Sequence, residues 1–199
     1  MQKMSYKDIN NFKIEKKYSI IKRRWKMNYF YPDIYSQSIY TINYDKLIDK
    51  GIKCLLFDLD NTCIPYTDNK PTKKLKEHFD KLKDLGFKVI IFSNSSKERL
   101  EPFKNYLNVD CCAKAGKPRK RKFLKVLKLY NLTLPDVAIV GDQLVTDIYG
   151  GNKVGITTIL VNPISKKDMP FTKIHRFIEK IEIKKMTKQG IFKVGEYYD

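Results

Sequence analysis

Two aspartates one residue apart open the segment Asp58-Leu59-Asp60-Asn61-Thr62, and three further short segments follow in order: Ser93-Asn94, Lys117-Pro118 and Gly141-Asp142-Gln143-Leu-Val-Thr146-Asp147. Carboxylates, a hydroxyl and an ammonium are the parts for moving a phosphoryl group with a divalent metal. A carboxylate can attack phosphorus once a bound cation offsets the repulsion between two anions. A second carboxylate nearby can protonate the leaving oxygen and then deprotonate the water that breaks the acyl phosphate. The spacing leaves open which of Asp58 and Asp60 attacks. Asp142 and Asp147 add oxygen ligands, and without clustered His or Cys such a set suits a hard ion, Mg²⁺. On the phosphate side, Thr62 bonds locally and holds the loop. Ser93 and the backbone amides of Asn94 and Ser95 can hold an anion at a helix amino terminus. Lys117 brings a fixed positive charge to the non-bridging oxygens. Each segment alone is weak evidence; their order and their setting make them specific.

That setting is a repeated strand-to-loop junction. Cys54–Phe57, Val89–Phe92 and Val137–Val140 are apolar runs directly ahead of the first, second and fourth segments. Strands are expected at 53–58, 88–93, about 109–113, 136–141 and 156–161, and helices at about 71–85, 96–107, 118–130 and 143–153. Pro71 and Pro118 suit first-turn positions, and Gly86 a helix stop. Strands alternating with helices, most of them continuously apolar, predict a parallel sheet covered on both faces. The expected fold is therefore α/β, a Rossmann-like doubly wound parallel sheet, which binds ligands at the carboxyl edge of its strands. Residues 171–188 place Phe171, Ile174, Phe177, Ile178 and Ile181 at helical spacing among Lys173, Arg176, Lys180, Lys184 and Lys185. The expected division is a basic, mobile extension over 1–30, one domain over 31–190 that includes this closing helix, and a tail over 191–199.

The chain has 199 residues and a formal net charge of +18, spread along its length, which draws polyanions without choosing among them. Around Trp25, basic residues Lys22, Arg23, Arg24 and Lys26 interleave with aromatics, and Lys114–Lys128 holds many cations and no acid. Both segments, like the closing helix, suit either a solvated face or an anionic membrane. No run is long enough to span a bilayer, and the amino terminus lacks an apolar leader stretch, so a cytoplasmic protein is expected, peripheral at the membrane if bound there. The four cysteines make no metal or redox pair, and Cys63 lies close enough to the first segment to be open to oxidation. His78 and His175 fall in helix candidates far from the four segments and read as surface or satisfied residues.

The four segments resemble those of the haloacid dehalogenase-like phosphatases. Asp58-Leu-Asp60-Asn-Thr62, Ala115-Gly-Lys117-Pro118 and the run from Gly141 to Asn152 are similar, more narrowly, to the YqeG subfamily, grouped with the phosphatidylglycerophosphate phosphatases. The similarity extends from about Tyr31 to about Gly190. The resemblance implies Asp58 as nucleophile, Asp60 as acid/base, and a phosphate-binding set of Thr62, Ser93, Asn94 and Lys117. It implies Mg²⁺ held by Asp58, the Asp60 carbonyl and Asp142, with Asp147 close behind. Cys63, where these proteins more often carry leucine, and the basic Arg119-Lys-Arg-Lys122 depart from the pattern. Neither gap between the segments can hold a cap domain, so an open site and a phosphate presented on something large are expected. The partners expected are a phosphorylated substrate, one carried on a lipid among them, and an anionic membrane, ahead of nucleic acid. Two other readings fit the same residues: a nucleic-acid end phosphatase, and a non-enzymatic phosphoacceptor switch resembling a receiver domain.

Overall fold

Strands β2 (Cys54–Phe57), β3 (Lys88–Phe92) and β5 (Val137–Gly141) are built from the three apolar runs, and they lie side by side at the centre of a six-stranded, all-parallel sheet. The computed structural model describes residues 29–165, 167 and 172–199. Strands β1 (Ile34–Ser36), β4 (Asp110–Cys112) and β6 (Thr157–Val161) complete the order β1-β6-β5-β2-β3-β4. The helices are α1 (Tyr44–Asp49), α2 (Lys73–Asp84), α3 (Lys97–Leu107), α4 (Lys120–Leu129), α5 (Tyr149–Val154) and α6 (Thr172–Lys188).

Alternation along each strand sends successive side chains to opposite faces. Leu55, Phe57, Val89, Ile91, Ala138 and Val140 join Leu47 of α1, Phe79 of α2 and Phe103 of α3 in one core. Cys54, Leu56, Ile90, Phe92, Val137 and Ile139 meet Phe123 and Val126 of α4 and Val154 of α5 in the other. Both faces are buried, which is why the strands read as continuous apolar runs. From β2 the chain moves outward through β3 to β4, then crosses back to β5 on the other side of β2. The crevice where strand order reverses therefore opens between β2 and β5. Their register, Phe57 opposite Val140, levels the two carboxyl ends there.

Several boundaries differ from expectation. Thr72 caps α2, its hydroxyl accepting from the Leu75 amide at 3.2 Å, so Pro71 precedes the cap rather than entering the first turn. Arg119 stands at the cap of α4, which excludes Pro118 in the same way. The single helix expected over 143–153 is a π-helical turn at Leu144–Ile148 running into α5. Both β1 and α1 went unanticipated: the strand has three residues, too few for periodicity. Residues 191–199, set apart as a tail, pack on the sheet. Phe192 is buried against Tyr35, and Tyr198 exchanges two backbone hydrogen bonds with Tyr35, at 2.8 and 2.9 Å. Of the amino-terminal extension only Tyr29 and Phe30 lie within the described residues; Phe30 stacks on Tyr149 with ring centres 4.9 Å apart. Trp25 and its basic neighbours lie outside the described residues, as does Phe171. No described helix is long and apolar enough to cross a membrane.

Candidate active site

The first segment leaves β2 in a tight loop. Asp58 keeps the ladder for one residue, its amide donating to Val140 at 2.9 Å. Asn61 then takes a left-handed conformation (φ 62°), which asparagine tolerates, and its side-chain oxygen accepts from the Tyr66 amide. This turns the chain back so that Asp58 and Asp60 stand at the mouth of the crevice. On the neighbouring strand Gly141 leads into Asp142, and the π-helical turn that follows brings Asp147 back beside the strand end. A β-carbon on Gly141 would sit 2.2 Å from the Asp147 carboxyl carbon, so only glycine admits that carboxylate. Gly141→Ala should displace Asp147, destabilise the fold by about 1–3 kcal/mol and weaken Mg²⁺ binding. Melting and Mg²⁺ titration check this, and an unchanged Mg²⁺ affinity would remove Asp147 from the metal's neighbourhood.

Asp58, Asp142 and Asp147 converge: each offers an oxygen, and these oxygens lie within 4.8 Å of one another. All three side chains are buried. Burial pushes the Asp58 carboxyl up to about 6, against the pull of Lys117. Burial likewise raises Asp142 to about 6, against the pull of Arg176, and raises Asp147. Lys117 lies between two of them, its Nζ 2.8 Å from Asp58 Oδ1 and 2.6 Å from Asp147 Oδ1. Burial alone would favour the neutral amine, but the Asp147 and Asp58 carboxylates outweigh it and hold the ammonium above its ordinary range. Against the three carboxylates stand the Lys117 ammonium and the Arg176 guanidinium paired with Asp142, which still leaves one negative charge in excess, and a divalent cation is the natural complement. The donors are all hard oxygens, as Mg²⁺ prefers.

Thr62 was expected to bond locally and to belong with the phosphate-binding set. Its hydroxyl instead donates to Asp142 Oδ1 at 2.9 Å and accepts from the Asp142 amide at 3.0 Å, clamping the first segment to the fourth. The Asn94 side chain makes a paired contact with the Lys117 backbone, accepting from its amide at 2.8 Å and donating to its carbonyl at 3.1 Å. Ser93 is buried, and its hydroxyl accepts from the Ser95 amide at 3.2 Å, so that amide is already engaged. A cavity of about 360 Å³ opens over this assembly, with Asp58, Asp60, Ser93, Asn94 and Lys117 in its wall.

Several contributors were not legible in the sequence. Arg99, in the first turn of α3, reaches Asp60 Oδ1 with Nη2 at 2.8 Å, and Ser95 Oγ donates to Asp60 Oδ2 at 2.5 Å. Both Asp60 oxygens are thus turned toward α3. Arg176 of α6 pairs with Asp142 Oδ2, donates to its carbonyl at 3.1 Å and bonds Glu179 at 2.9 Å. Burial raises Glu179 to about 7. His175, expected to lie far from the four segments, lines the cavity, and its buried Nδ1 has no hydrogen-bond partner among the described residues. The position of α6 could not be read from spacing, and it alone brings His175 there. His78 is satisfied, its Nε2 3.1 Å from the Tyr44 hydroxyl. The expectation for Cys63 fails: the thiol is buried, bonds the Asp58 carbonyl at 3.1 Å and is pushed well up by burial, so little thiolate forms.

The chain is similar to several known proteins. A family model described as haloacid dehalogenase-like hydrolase matches residues 64–155, and one described as mitochondrial PGP phosphatase matches residues 14–108. The "Probable phosphatase YqeG" of Bacillus subtilis is 33% identical over 162 residues, covering 81% of this chain and 94% of that protein. "Phosphatidylglycerophosphate phosphatase 1, chloroplastic/mitochondrial" of Arabidopsis thaliana is 24% identical over 172 residues, 80% of this chain and 49% of that protein, so the chain spans about half of its length. Among solved structures, the 3-deoxy-D-manno-octulosonate 8-phosphate phosphatase of Moraxella catarrhalis aligns with a TM-score of 0.48 and 16% identity, over 61% of this chain and 76% of that one. Identity of this level, sustained over nearly the whole of the Bacillus protein, places the chain in the YqeG family of haloacid dehalogenase-like phosphatases.

Proposed function

We propose that this phosphatase is a Mg²⁺-dependent phosphomonoesterase working through a phosphoaspartate on Asp58. Its proposed substrate is a glycerophospholipid carrying a head-group phosphate, such as phosphatidylglycerophosphate. The observation that carries the reading is the meeting of Asp58, Asp142 and Asp147 oxygens within 4.8 Å, with the Lys117 ammonium 2.8 Å from Asp58. The substrate choice is supported by relatives named for that lipid phosphate and by a cavity that no cap domain covers among the described residues.

In the first half-reaction an Asp58 oxygen forms a bond to phosphorus as the ester P–O bond breaks. Asp60 gives its proton to the departing alkoxide. In the second half-reaction Asp60 takes a proton from water, the oxygen of that water bonds to phosphorus, and the acyl P–O bond breaks to return Asp58 and free phosphate. Lys117 faces the non-bridging oxygens throughout, where charge accumulates. Ser93 and Asn94 complete the wall around the phosphoryl group. Mg²⁺ would be held by Asp58, the Asp60 carbonyl, Asp142 and, close behind, Asp147, and when bound it polarises the phosphoryl oxygens and offsets the repulsion between anions. The Asp142 oxygens each hold one partner, Thr62 or Arg176, and a carboxylate offers about four lone-pair sites, so capacity remains for an ion.

The decisive experiment is phosphate release with Mg²⁺ from p-nitrophenyl phosphate, from phosphatidylglycerophosphate in detergent micelles and from a 5′-phosphorylated oligonucleotide. Turnover of the lipid in preference to the oligonucleotide is expected, with complete loss on chelation. Preference for the oligonucleotide would replace the lipid reading by the nucleic-acid one. Asp60→Asn should slow aryl phosphate hydrolysis by about 10²–10⁴-fold. Undiminished turnover would strip Asp60 of its role, whereas a wild-type chain that keeps phosphate on the protein without releasing it would favour the phosphoacceptor-switch reading, in which the acyl phosphate must last.

A further inference from the structure

Helix α6 has two dissimilar faces. Its inner face is tied to the site: Arg176 and Glu179 bond Asp142 and the Val145 amide, and Met186 is fully buried. Its outer face presents Ile174 (69% exposed), Phe177 (65%) and Ile181 (39%). Steps of three and four residues put them in one stripe along the helix. Single exposed apolar side chains are ordinary on a protein surface, but an aligned stripe of large ones marks a surface that meets a partner. Lys180 is exposed beside the stripe, and Lys184, Lys185 and Lys188 continue the exposed face toward the end of the helix. The first turn of α6 also supplies Thr172 and His175 to the cavity wall, so the stripe begins at the rim of the site.

We propose that the outer face of α6 is a docking surface for an anionic lipid bilayer, the helix lying in the interface with Ile174, Phe177 and Ile181 below the phosphate level and the lysines among the head groups. Amphipathic helices that combine an apolar stripe with lysines lie on membranes in this way. Charge complementarity selects the partner, because the lysines attract anionic head groups while the apolar side chains gain from acyl chains. A nucleic-acid backbone would satisfy the lysines but offers Ile174 and Ile181 nothing. Docked so, the cavity rim faces the plane in which lipid-borne phosphates lie. The inference thus rests on the phosphatase reading for its substrate, though not for the binding itself.

Co-sedimentation of the full chain with vesicles of phosphatidylcholine, with and without phosphatidylglycerol, tests the surface. The wild-type chain should bind the anionic vesicles, and Phe177→Asp should weaken that partition about tenfold or more, as expected for loss of a buried aromatic side chain. Phe177→Ser, a milder change, should weaken it in the same direction. Both variants should hydrolyse p-nitrophenyl phosphate as the wild type does, since Phe177 lies outside the cavity wall. Wild-type failure to bind anionic vesicles would overturn the proposal. So would unchanged binding in both variants, above all with lowered melting temperature, since the stripe would then be covered by another part of this chain. Equal loss of oligonucleotide and vesicle binding would overturn it too. Failure of the wild type to hydrolyse any ester would instead sink the phosphatase reading and leave the vesicle result to stand alone.

Discussion

An Asp58→Asn chain should fold as the wild type does and release phosphate at least about 10⁴-fold more slowly, the scale of loss when a covalent nucleophile is removed. Two features make these halves separable. The amide is isosteric with the carboxylate, so the loop from β2 keeps its shape, and Lys117 keeps its second partner in Asp147. Burial raises the Asp58 carboxyl to about 6, which means that its charge costs the folded state something at neutral pH. A neutral side chain removes that cost, and the melting temperature should hold or rise. Rapid-quench kinetics with radiolabelled substrate should find no acid-stable protein-bound phosphate in the variant. Labelled variant protein, or turnover near the wild-type rate, would move the attack to another residue.

Lys117→Met should have the larger effect on stability. The ammonium is buried between Asp58 and Asp147, and breaking a buried pair by removing one partner costs about 3–5 kcal/mol. For a chain of this size that corresponds to a fall of about 10 °C in melting temperature. The loss should depend on pH in a definite direction. Folded-state carboxyls that already titrate above their unfolded values rise further without the cation, so the native state binds more protons than the unfolded one. Stability should then be regained as pH falls from about 8 toward about 5, and lost again as it rises. Mg²⁺ at neutral pH should restore part of the loss by binding the native state alone. A variant as stable as the wild type at neutral pH, with the same pH slope, would contradict the geometry around Lys117.

The sheet was legible because each central strand is a short apolar run that ends directly in polar chemistry. The placement of Asp58 and Asp142 follows from that alone, since parallel strands with crossover helices align their carboxyl ends. Sequence could not show which distant side chains hold these groups in place. Thr62 meets Asp142 across 80 positions and Arg176 meets it across 34, and neither pairing leaves a local pattern. Arg99 falls where an ordinary amphipathic helix begins, and only the turn at Asn61 brings Asp60 to it. His175 illustrates the same limit from the other side, because distance along the chain says nothing about where a closing helix docks. The edge strand β1 was missed because Ile-Tyr-Ser is too short to show alternation and gains its partners from far away in the chain.

The return of Tyr198 to Tyr35 bears on solubility. An outermost strand with unpaired amides and carbonyls is a template on which a stranger's backbone can extend the sheet. Here the protein's own closing residues occupy that margin of β1, and the stacked Tyr31 and Tyr198 rings, 5.9 Å apart, shield the join. Intermolecular strand addition at this side is thereby withheld at Tyr35, which keeps copies of the chain from linking edge to edge.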